Sequence, residues 1–392
     1  MSGYQLLTAL FLFSLLFFTE QFENTAMKVL ILLFSIILLP VFFNAFADDL
    51  RRKFLPTILF VAFLAVTTVT TLYSIDYEKS IIQLLLFYSY FIFFVSIRSV
   101  FPFLKDKEHF IFYFLVVTSI LSLISLYNTF INHYVSRHEL SFLWIYFGHN
   151  HLSALLLFAI PLSLYFLKIY WLRIVPVTGL SLLIISLMFT FSIGALIALA
   201  ISLLTTLILF GRIIYTSQFP FRKVFMAVFL MIALLGMLSL SMFSENRRIK
   251  TLKLVKNPLA HTQSRLIYWQ AAYDNFLSNP LKGSGLDTFH EVLNNSGSAI
   301  GKVRDTTNVH NFFLQMLSDS GIFGFIISLA LITSVLWMSA KMAFKSGNFL
   351  YATLFSGLLA STLFSMIDLD WHVPLVFPFF WVFAGLSTNY AK

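Results

Sequence analysis

Long apolar stretches recur along almost the whole chain, and each is long enough to cross a lipid bilayer as a helix. Hydrophobic residues make up 59% of the 392 residues and charged residues only 11%, whereas an ordinary soluble domain has about 25% charged residues. This composition excludes a soluble globular domain, a disordered chain and a nucleic-acid-binding module. Because the chain contains no cysteine, it also excludes a disulfide scaffold, a thiolate metal site and thiol catalysis.

The sequence predicts an all-α polytopic membrane protein with about twelve transmembrane helices. Residues 1–243 are predicted to hold spans one to nine, residues 244–320 a single large loop with short helices, and residues 321–392 spans ten to twelve. The predicted spans are residues 4–19, 27–46, 54–73, 80–97, 109–131, 149–167, two within 172–211, and then 223–243, 322–340, 349–367 and 373–390.

Two of these assignments depend on local features of the sequence. The apolar run from Leu172 to Gly211 is too long for one crossing, and it is divided at residues 190–194. The first apolar stretch has no basic residue before Lys28, which a cleavable signal peptide would require. It is therefore expected to be a retained span.

The distribution of basic residues predicts how the chain is oriented in the membrane. Fourteen basic residues fall in the loops on one side, whereas the short loops on the other side carry only Lys28, Lys79 and Arg137. The positive-inside rule makes the first side cytoplasmic. Both termini are then cytoplasmic, the loop of residues 244–320 is extracytoplasmic, and the net charge of +9 reflects topology rather than nucleic-acid binding.

The first part of the large loop has the pattern of an amphipathic helix over residues 262–277. Thr262 or Ser264 is predicted to cap its start, and Asn279-Pro280 to end it. Arg265 would then lie in the first turn, where free backbone N–H groups and the helix dipole favour a bound phosphate. The alternative is a solvated or ion-paired arginine. The apolar face is predicted to consist of Leu266, Trp269, Tyr273, Phe276 and Leu277.

A second helix is predicted from Thr307 or Asn308, as cap, to Gly321. His310 would lie in its first turn, where the helix dipole disfavours a charged ring and leaves the imidazole able to accept a proton. The alternative is a histidine that is hydrogen-bonded to neighbouring loop groups.

Other polar residues are predicted to lie at the same outward level. His149 and His151 open span six, but residues two apart do not share a helix face, so no metal site is expected. Simple interaction with lipid head groups is the alternative for the basic residues, and snorkelling for the polar residues at span ends. The scarcity of charges within the spans disfavours an ion-coupled transporter. The candidate substrate-binding residues are Arg304, Arg247, Arg248, His149, His151, Asn311, Asp368, Asp370 and His372.

Over most of residues 145–390 the chain resembles the family of O-antigen ligases and O-antigen polymerases. No single motif is specific to this family, but the order and spacing of four motifs around one large loop are specific together. The segments that carry the resemblance are Gly148 to Ala154 with Pro161; Ser264 to Leu266 with Trp269 and Asn279 to Leu286; Val309 to Gln315 with Gly321 and Gly324; and Asp368 to Pro374.

The resemblance implies a GT-C-like transferase of the plasma (inner) membrane that moves a glycan from undecaprenyl diphosphate to an acceptor hydroxyl on the outer face. It implies that His310 acts as the base and that Arg265 binds the diphosphate, without metal or other cofactor. The acceptor is a lipid A-core sugar in a ligase and the end of another lipid-linked repeat in a polymerase, and the sequence does not separate the two. The alternatives from other classes are a flippase of lipid-linked sugars and an inert scaffold.

The chain departs from the family pattern at one position. Members usually carry an arginine in a Ser-Arg-Gly type motif before the eighth span, and this chain has Ser192-Ile193-Gly194. Another cation from the loop, such as Arg304, Arg247 or Arg248, could occupy that volume; otherwise the protein handles its donor differently or is inactive. The first of these is our hypothesis.

Overall fold

A computed structural model describes residues 20–131, 149–170, 174–190, 192–216, 259–295, 308–368, 371 and 376–389, and these residues form helices and connecting turns without strands. The helices before the large loop are α1 (Glu20–Arg51), α2 (Leu55–Leu72), α3 (Tyr77–Val100), α4 (Leu104–Ile131), α5 (His149–Tyr170), α6 (Ile174–Phe189) and α7 (Ile193–Thr216). The helices that follow are α8 (Leu259–Ser278), α9 (Phe289–Asn295), α10 (Phe312–Ser346), α11 (Phe349–Ser365) and α12 (Phe377–Thr388).

This arrangement confirms an all-α polytopic membrane architecture. By length and composition, seven helices within the described ranges can cross a membrane, and α6, α11 and α12 are shorter apolar helices. The predicted division of the long apolar run is also found, since α6 ends at Phe189 and α7 begins at Ile193. The spans predicted at residues 4–19 and 223–243 lie outside the described residues, so the total of twelve stays a prediction.

The two C-terminal helices form the centre of the bundle. Helix α11 packs against α5, α7 and α10, and α12 packs against α3, α10 and α11. Every residue of α12 is buried, and its aromatic rings interlock with those of the surrounding helices: the Trp381 and Phe60 ring centroids are 4.4 Å apart, and those of Phe383 and Phe114 are 4.9 Å apart. Because lipid tails are as apolar as these side chains, close packing of this kind is what holds membrane helices together.

One end of the bundle, here called the basic end, joins the ends of α1, α3 and α12 to the start of α4. Asp49 forms an ion pair with Arg98. Lys107 is fully buried, and its ammonium group donates to the hydroxyl of Tyr351 at 3.0 Å and to the carbonyls of Leu386 at 3.0 Å and Asn389 at 2.6 Å. These bonds satisfy a cation that would otherwise be costly to bury.

At the opposite end, here called the loop end, the large loop is docked onto the turn between α2 and α3. The backbone N–H of Ile75 donates to the Ser284 carbonyl at 2.9 Å, and the Ser80 hydroxyl donates to the Leu286 carbonyl at 2.7 Å. Lys79 also forms an ion pair with Glu291. The described part of the loop is therefore a folded substructure that is attached to the bundle.

The start of α8 differs from the sequence prediction. The helix already includes Leu259, so neither Thr262 nor Ser264 is its cap, and Arg265 does not lie in its first turn. The buried face is also different: Tyr268, Ala271 and Ala272 are buried. The predicted apolar residues Leu266, Tyr273 and Leu277 are exposed instead. The three buried side chains pack with Phe289 and Leu293 of α9 and with Val309, and this contact decides which side of α8 is covered.

The start of α10 also differs. Its cap is Asn311, whose side-chain oxygen accepts from the backbone N–H groups of Phe313 at 3.0 Å and Leu314 at 3.1 Å. The predicted caps Thr307 and Asn308 are therefore wrong, and His310 lies just before the helix rather than in its first turn.

The predicted end of the second loop helix at Gly321 is found as a sharp break inside α10. Gly321 has φ 64° and ψ −163°, a region that is essentially restricted to glycine. A Cβ at this position would lie 2.6 Å from the Leu281 carbonyl oxygen, and the N–H of Ile322 donates to the Pro280 carbonyl at 2.9 Å. The break therefore lets the chain after α8 lie directly against α10.

Replacing this glycine is expected to be much more harmful than replacing another glycine of positive φ. Gly321→Ala adds a clash to backbone strain of about 1–3 kcal/mol, so a markedly lower melting temperature in detergent is expected. The matched control is Gly347→Ala, since Gly347 has φ 59° but no atom within 4 Å of its Cβ position; it is expected to lose about 1 kcal/mol. Equal melting temperatures of the two variants would show that close packing at Gly321 does not limit stability.

Candidate functional site

The candidate site is built around the carboxylate of Asp368, immediately after α11. Its Oδ2 accepts from Nη2 of Arg265 at 2.7 Å and from Nδ2 of Asn150 at 2.7 Å. Its Oδ1 lies 3.3 Å from Nδ1 of His310. One carboxylate thus joins α5, α8 and the start of α10, three segments that are distant in the sequence.

Burial differs between the members of this group in a way that suits a reactive site. The Asp368 side chain is 3% exposed, whereas the side chains of Arg265 and His310 are 30% and 20% exposed. A buried carboxylate is costly unless it is paired and hydrogen-bonded, and Arg265 and Asn150 meet that requirement. The carboxylate is therefore buried, and the arginine and the histidine bound to it are partly exposed.

His310 is held in an unusual backbone conformation. Its φ is +58°, a left-handed value that costs free energy for a residue other than glycine. The ring is stacked on Tyr268, with ring centroids 5.8 Å apart and an interplanar angle of 18°. Helix α8 therefore supplies both Arg265 and the aromatic ring beneath the imidazole.

Arg265 is ion-paired, as in the alternative that the sequence left open. It lies within α8, where backbone N–H groups are used by the helix, so the predicted phosphate site at a helix N-terminus is wrong in its backbone part. The guanidinium has five N–H donors, and the bond to Asp368 uses one of them. A role of Arg265 in binding a diphosphate stays a prediction.

An aromatic cluster lies beneath the site and fixes its floor. Trp371 is buried, donates from Nε1 to the Ser361 hydroxyl at 2.9 Å, and stacks on Phe377 with centroids 4.9 Å apart. Phe312, two residues after His310, contacts the same tryptophan edge-on at 4.9 Å. Trp371 and the start of α10 are therefore packed together.

The structure brings together three of the predicted residues, namely Arg265, His310 and Asp368. The side-chain oxygen of Asn311 caps α10, and His151 is half-buried in the first turn of α5 with contacts of its own. The remaining predictions fall on side chains outside the described residues: His149, Arg247, Arg248, Arg304, Asp370 and His372.

Asn150 and Tyr268 belong to the site but were not predicted from the sequence. Asn150 lies between the two histidines of the motif that opens α5, so the motif itself was the signal; the roles predicted for His149 and His151 stay predictions. Tyr268 lies three residues after Arg265, which places it near the arginine on one helix face; its stacking on His310 depends on a contact between distant segments that the spacing does not reveal.

Ile193, which stands where the family usually has an arginine, lies close to the site. It is the first residue of α7 and is 52% exposed. A Cβ on the next residue, Gly194, would lie 2.7 Å from Cδ1 of Ile367. The start of α7 therefore adjoins the residue before Asp368.

Within the described residues, no group of three or more His, Asp or Glu side chains has the arrangement of a metal site. The expectation of a metal-free reaction stays a prediction.

Residues 178–329 match the family model for O-antigen ligase. The match confirms the resemblance predicted from the sequence, and it includes Arg265 and His310, although it ends before Asp368. It supports glycosyltransferase activity of the O-antigen ligase or polymerase type. No curated protein matches the chain.

The arrangement can carry out both halves of a glycosyl transfer. A carboxylate hydrogen-bonded to Nδ1 orients the imidazole so that Nε2 can accept a proton from an alcohol. The adjacent guanidinium can stabilise negative charge on a phosphate oxygen by charge-assisted hydrogen bonds.

Asp368→Asn is expected to reduce glycan transfer about 100-fold, which is within the range of a positioned acid–base group. The amide cannot form the ion pair with Arg265. Its NH2 group is a hydrogen-bond donor, and it would face a donor group of a neighbouring side chain where the carboxylate now has an acceptor. The measurement is the initial rate of glycan transfer by protein purified in detergent. Asp274→Asn is the matched control: Asp274 is exposed on α8 and accepts from Gln270 at 2.8 Å. Normal transfer by the Asp368 variant would contradict this assignment.

Proposed function

We propose that this protein transfers a glycan from undecaprenyl diphosphate to an acceptor hydroxyl at the outer face of the plasma membrane. The observation that carries the proposal is the buried carboxylate of Asp368, which holds a partly exposed arginine and a partly exposed histidine side by side. Transfer from a lipid diphosphate needs a cation for the departing phosphate and a base for the incoming alcohol, and these two side chains provide them.

The reaction exchanges one bond at the sugar C1 carbon. The acceptor oxygen forms a bond to C1 while the bond from C1 to the diphosphate oxygen breaks. Nε2 of His310 takes the hydroxyl proton, and Asp368 stabilises the imidazolium that forms, through Nδ1. The leaving diphosphate keeps the electron pair of the broken bond, and Arg265 stabilises its added negative charge.

The arrangement of charges along the bundle supports an extracytoplasmic site. The basic end gathers Arg98 and Lys107, and by the alternation of the helices the basic residues at the ends of α5, α7 and α10 lie on the same side. The positive-inside rule assigns that side to the cytoplasm. The loop end, with Arg265 and His310, then faces outward, where a lipid-linked donor can reach it along the membrane surface.

Ligase and polymerase activity differ in the product. Purified protein is incubated with an undecaprenyl-diphosphate-linked glycan and candidate acceptors, and the products are separated by size. One capped product indicates a ligase, and a ladder indicates a polymerase.

His310→Ala is expected to lower the rate of glycan transfer at least 100-fold, because general-base catalysis typically contributes 10²–10⁴-fold. The protein should remain folded, since the imidazole is partly exposed. The matched control is His109→Ala on α4, next to the basic end, which should transfer glycan normally. Full transfer by the His310 variant would reject the base assignment, and movement of the intact donor across the bilayer without any transfer would favour a flippase.

The hypothesis that another cation replaces the family arginine can be tested with Ile193→Arg. If a loop cation already stabilises the diphosphate, the added guanidinium should change the transfer rate by less than about threefold, because the interaction is already made. A gain of tenfold or more in the same transfer assay would show that this role is unfilled in the natural chain. Ile197→Arg, also exposed on α7 but one turn further on, controls for the added charge.

A further inference from the structure

We infer that Gln315 and Asp319 are positioning residues for His310, which they hold at the site without touching a substrate. This inference rests on the proposed function of His310 as the base. Both residues lie on the first turns of α10, one turn apart, and both are fully buried.

A continuous chain of hydrogen bonds leads from Asp319 to the backbone beside the histidine. Oδ1 of Asp319 accepts from Nε2 of Gln315 at 2.8 Å. Oε1 of Gln315 accepts from the backbone N–H of Val309 at 2.9 Å. Because each amide has one acceptor and one donor side, the bond to Asp319 fixes the orientation of the Gln315 amide, with its oxygen towards Val309.

The strained backbone of His310 explains why such a restraint is needed. A residue other than glycine stays at φ +58° only where its surroundings hold it there. The Val309 N–H is held by Gln315 on one side, and the side chain of Asn311 is held by the cap of α10 on the other. If the Gln315 bond is lost, the backbone can relax to a negative φ, and the imidazole moves away from Asp368.

Asp319 also holds the other side of the large loop. Its Oδ2 accepts from the backbone N–H of Asp287 at 3.0 Å, and its backbone carbonyl accepts from the N–H of Gly285 at 2.9 Å. The same buried residue therefore fixes the chain before α9 and, through Gln315, the chain before α10. The first of these segments is docked on the turn between α2 and α3. The position of His310 is therefore fixed relative to the helix bundle.

The first test is Gln315→Leu, which keeps the size of the side chain but removes both hydrogen bonds. We expect kcat for glycan transfer to fall 10–100-fold, since a displacement of about 1 Å of a catalytic group can cost 100-fold. The KM for the lipid-linked donor should stay within about twofold, because Arg265 is not disturbed. Gln270→Leu, an exposed glutamine on α8, is the matched control and should leave both constants unchanged.

The second test is Gln315→Glu, which preserves the shape of the side chain and gives a readout that a purely structural role would not. One oxygen of the introduced carboxyl can still accept from Val309, but the other faces Oδ1 of Asp319, so that the contact needs a shared proton. We expect near-normal kcat in acid and an additional loss as the pH rises, which the natural protein should not show.

Within the described part of the loop, Asp287 also contacts this network, and burial raises its pKa to about 6. Its own longer-range neighbours are Lys28, Lys79, Glu291 and Asp76. Because Asp287 and Asp319 are present in both proteins, a loss seen only in the Gln315→Glu variant reports the introduced carboxyl and its coupling to these two groups.

The outcomes separate this inference from the proposed function. If His310→Ala is inactive but Gln315→Leu has normal kcat, the inference is wrong and the proposed function stands. If His310→Ala is fully active, the proposed base is wrong and the inference falls with it. If Gln315→Leu does not fold, Gln315→Glu decides: a pH profile identical to that of the natural protein overturns the inference.

Discussion

The buried carboxylate of Asp368 is the constraint on which the rest of the loop end depends. A carboxylate that is 3% exposed is stable only if opposite charge and hydrogen-bond donors are brought to it. Arg265 and Asn150 supply these, and they come from helices that are far from α11 in the sequence. The pairing therefore fixes α8 against the bundle, and α8 in turn places Tyr268 beneath the ring of His310. Packing, electrostatics and the geometry of the reactive groups have one common origin here.

A second layer of polar residues turns the base of the loop into a rigid support. Asn275 of α8 donates to the hydroxyls of Ser284 at 3.0 Å and Ser318 at 2.8 Å, next to the Asp319 carboxylate that holds the neighbouring backbone. In a low-dielectric interior such bonds are strong, and a missing partner is costly. The reactive groups are thus carried by a loop, but the loop is fastened to α10 through buried side chains, which suits chemistry that needs fixed distances.

The spans could be predicted closely because the apolar length of a membrane helix is set by the bilayer and can be counted along the sequence. The predicted 54–73 and 149–167 correspond to Leu55–Leu72 and His149–Tyr170. The starts of the helices at the loop end could not be predicted, because several possible capping residues are close together in the sequence and tertiary contacts choose between them. Gln315 holds Val309 outside α10, so that Asn311 becomes the cap. The motifs identified Arg265, His310 and Asp368. They did not show that the carboxylate of Asp368 joins the side chains of Arg265 and His310. Gln315 and Asp319 had a weak signal, two polar residues four apart in an apolar run, which is typical of a buried hydrogen-bonded pair.

The charge balance at the site bears on how the proposed donor would be bound. The guanidinium of Arg265 is already paired with Asp368, so with a neutral imidazole the three groups carry no net charge. A lipid diphosphate carries several negative charges, and the ion pair alone attracts it weakly. Arg265 is therefore better suited to the charge that develops as the diphosphate departs than to the initial capture of the donor, and capture requires further cations. The proposal that a loop cation takes the place of the arginine expected near Ile193 supplies such a charge. On this proposal the positive charge of the loop serves the reaction, whereas the positive charge of the basic end serves topology.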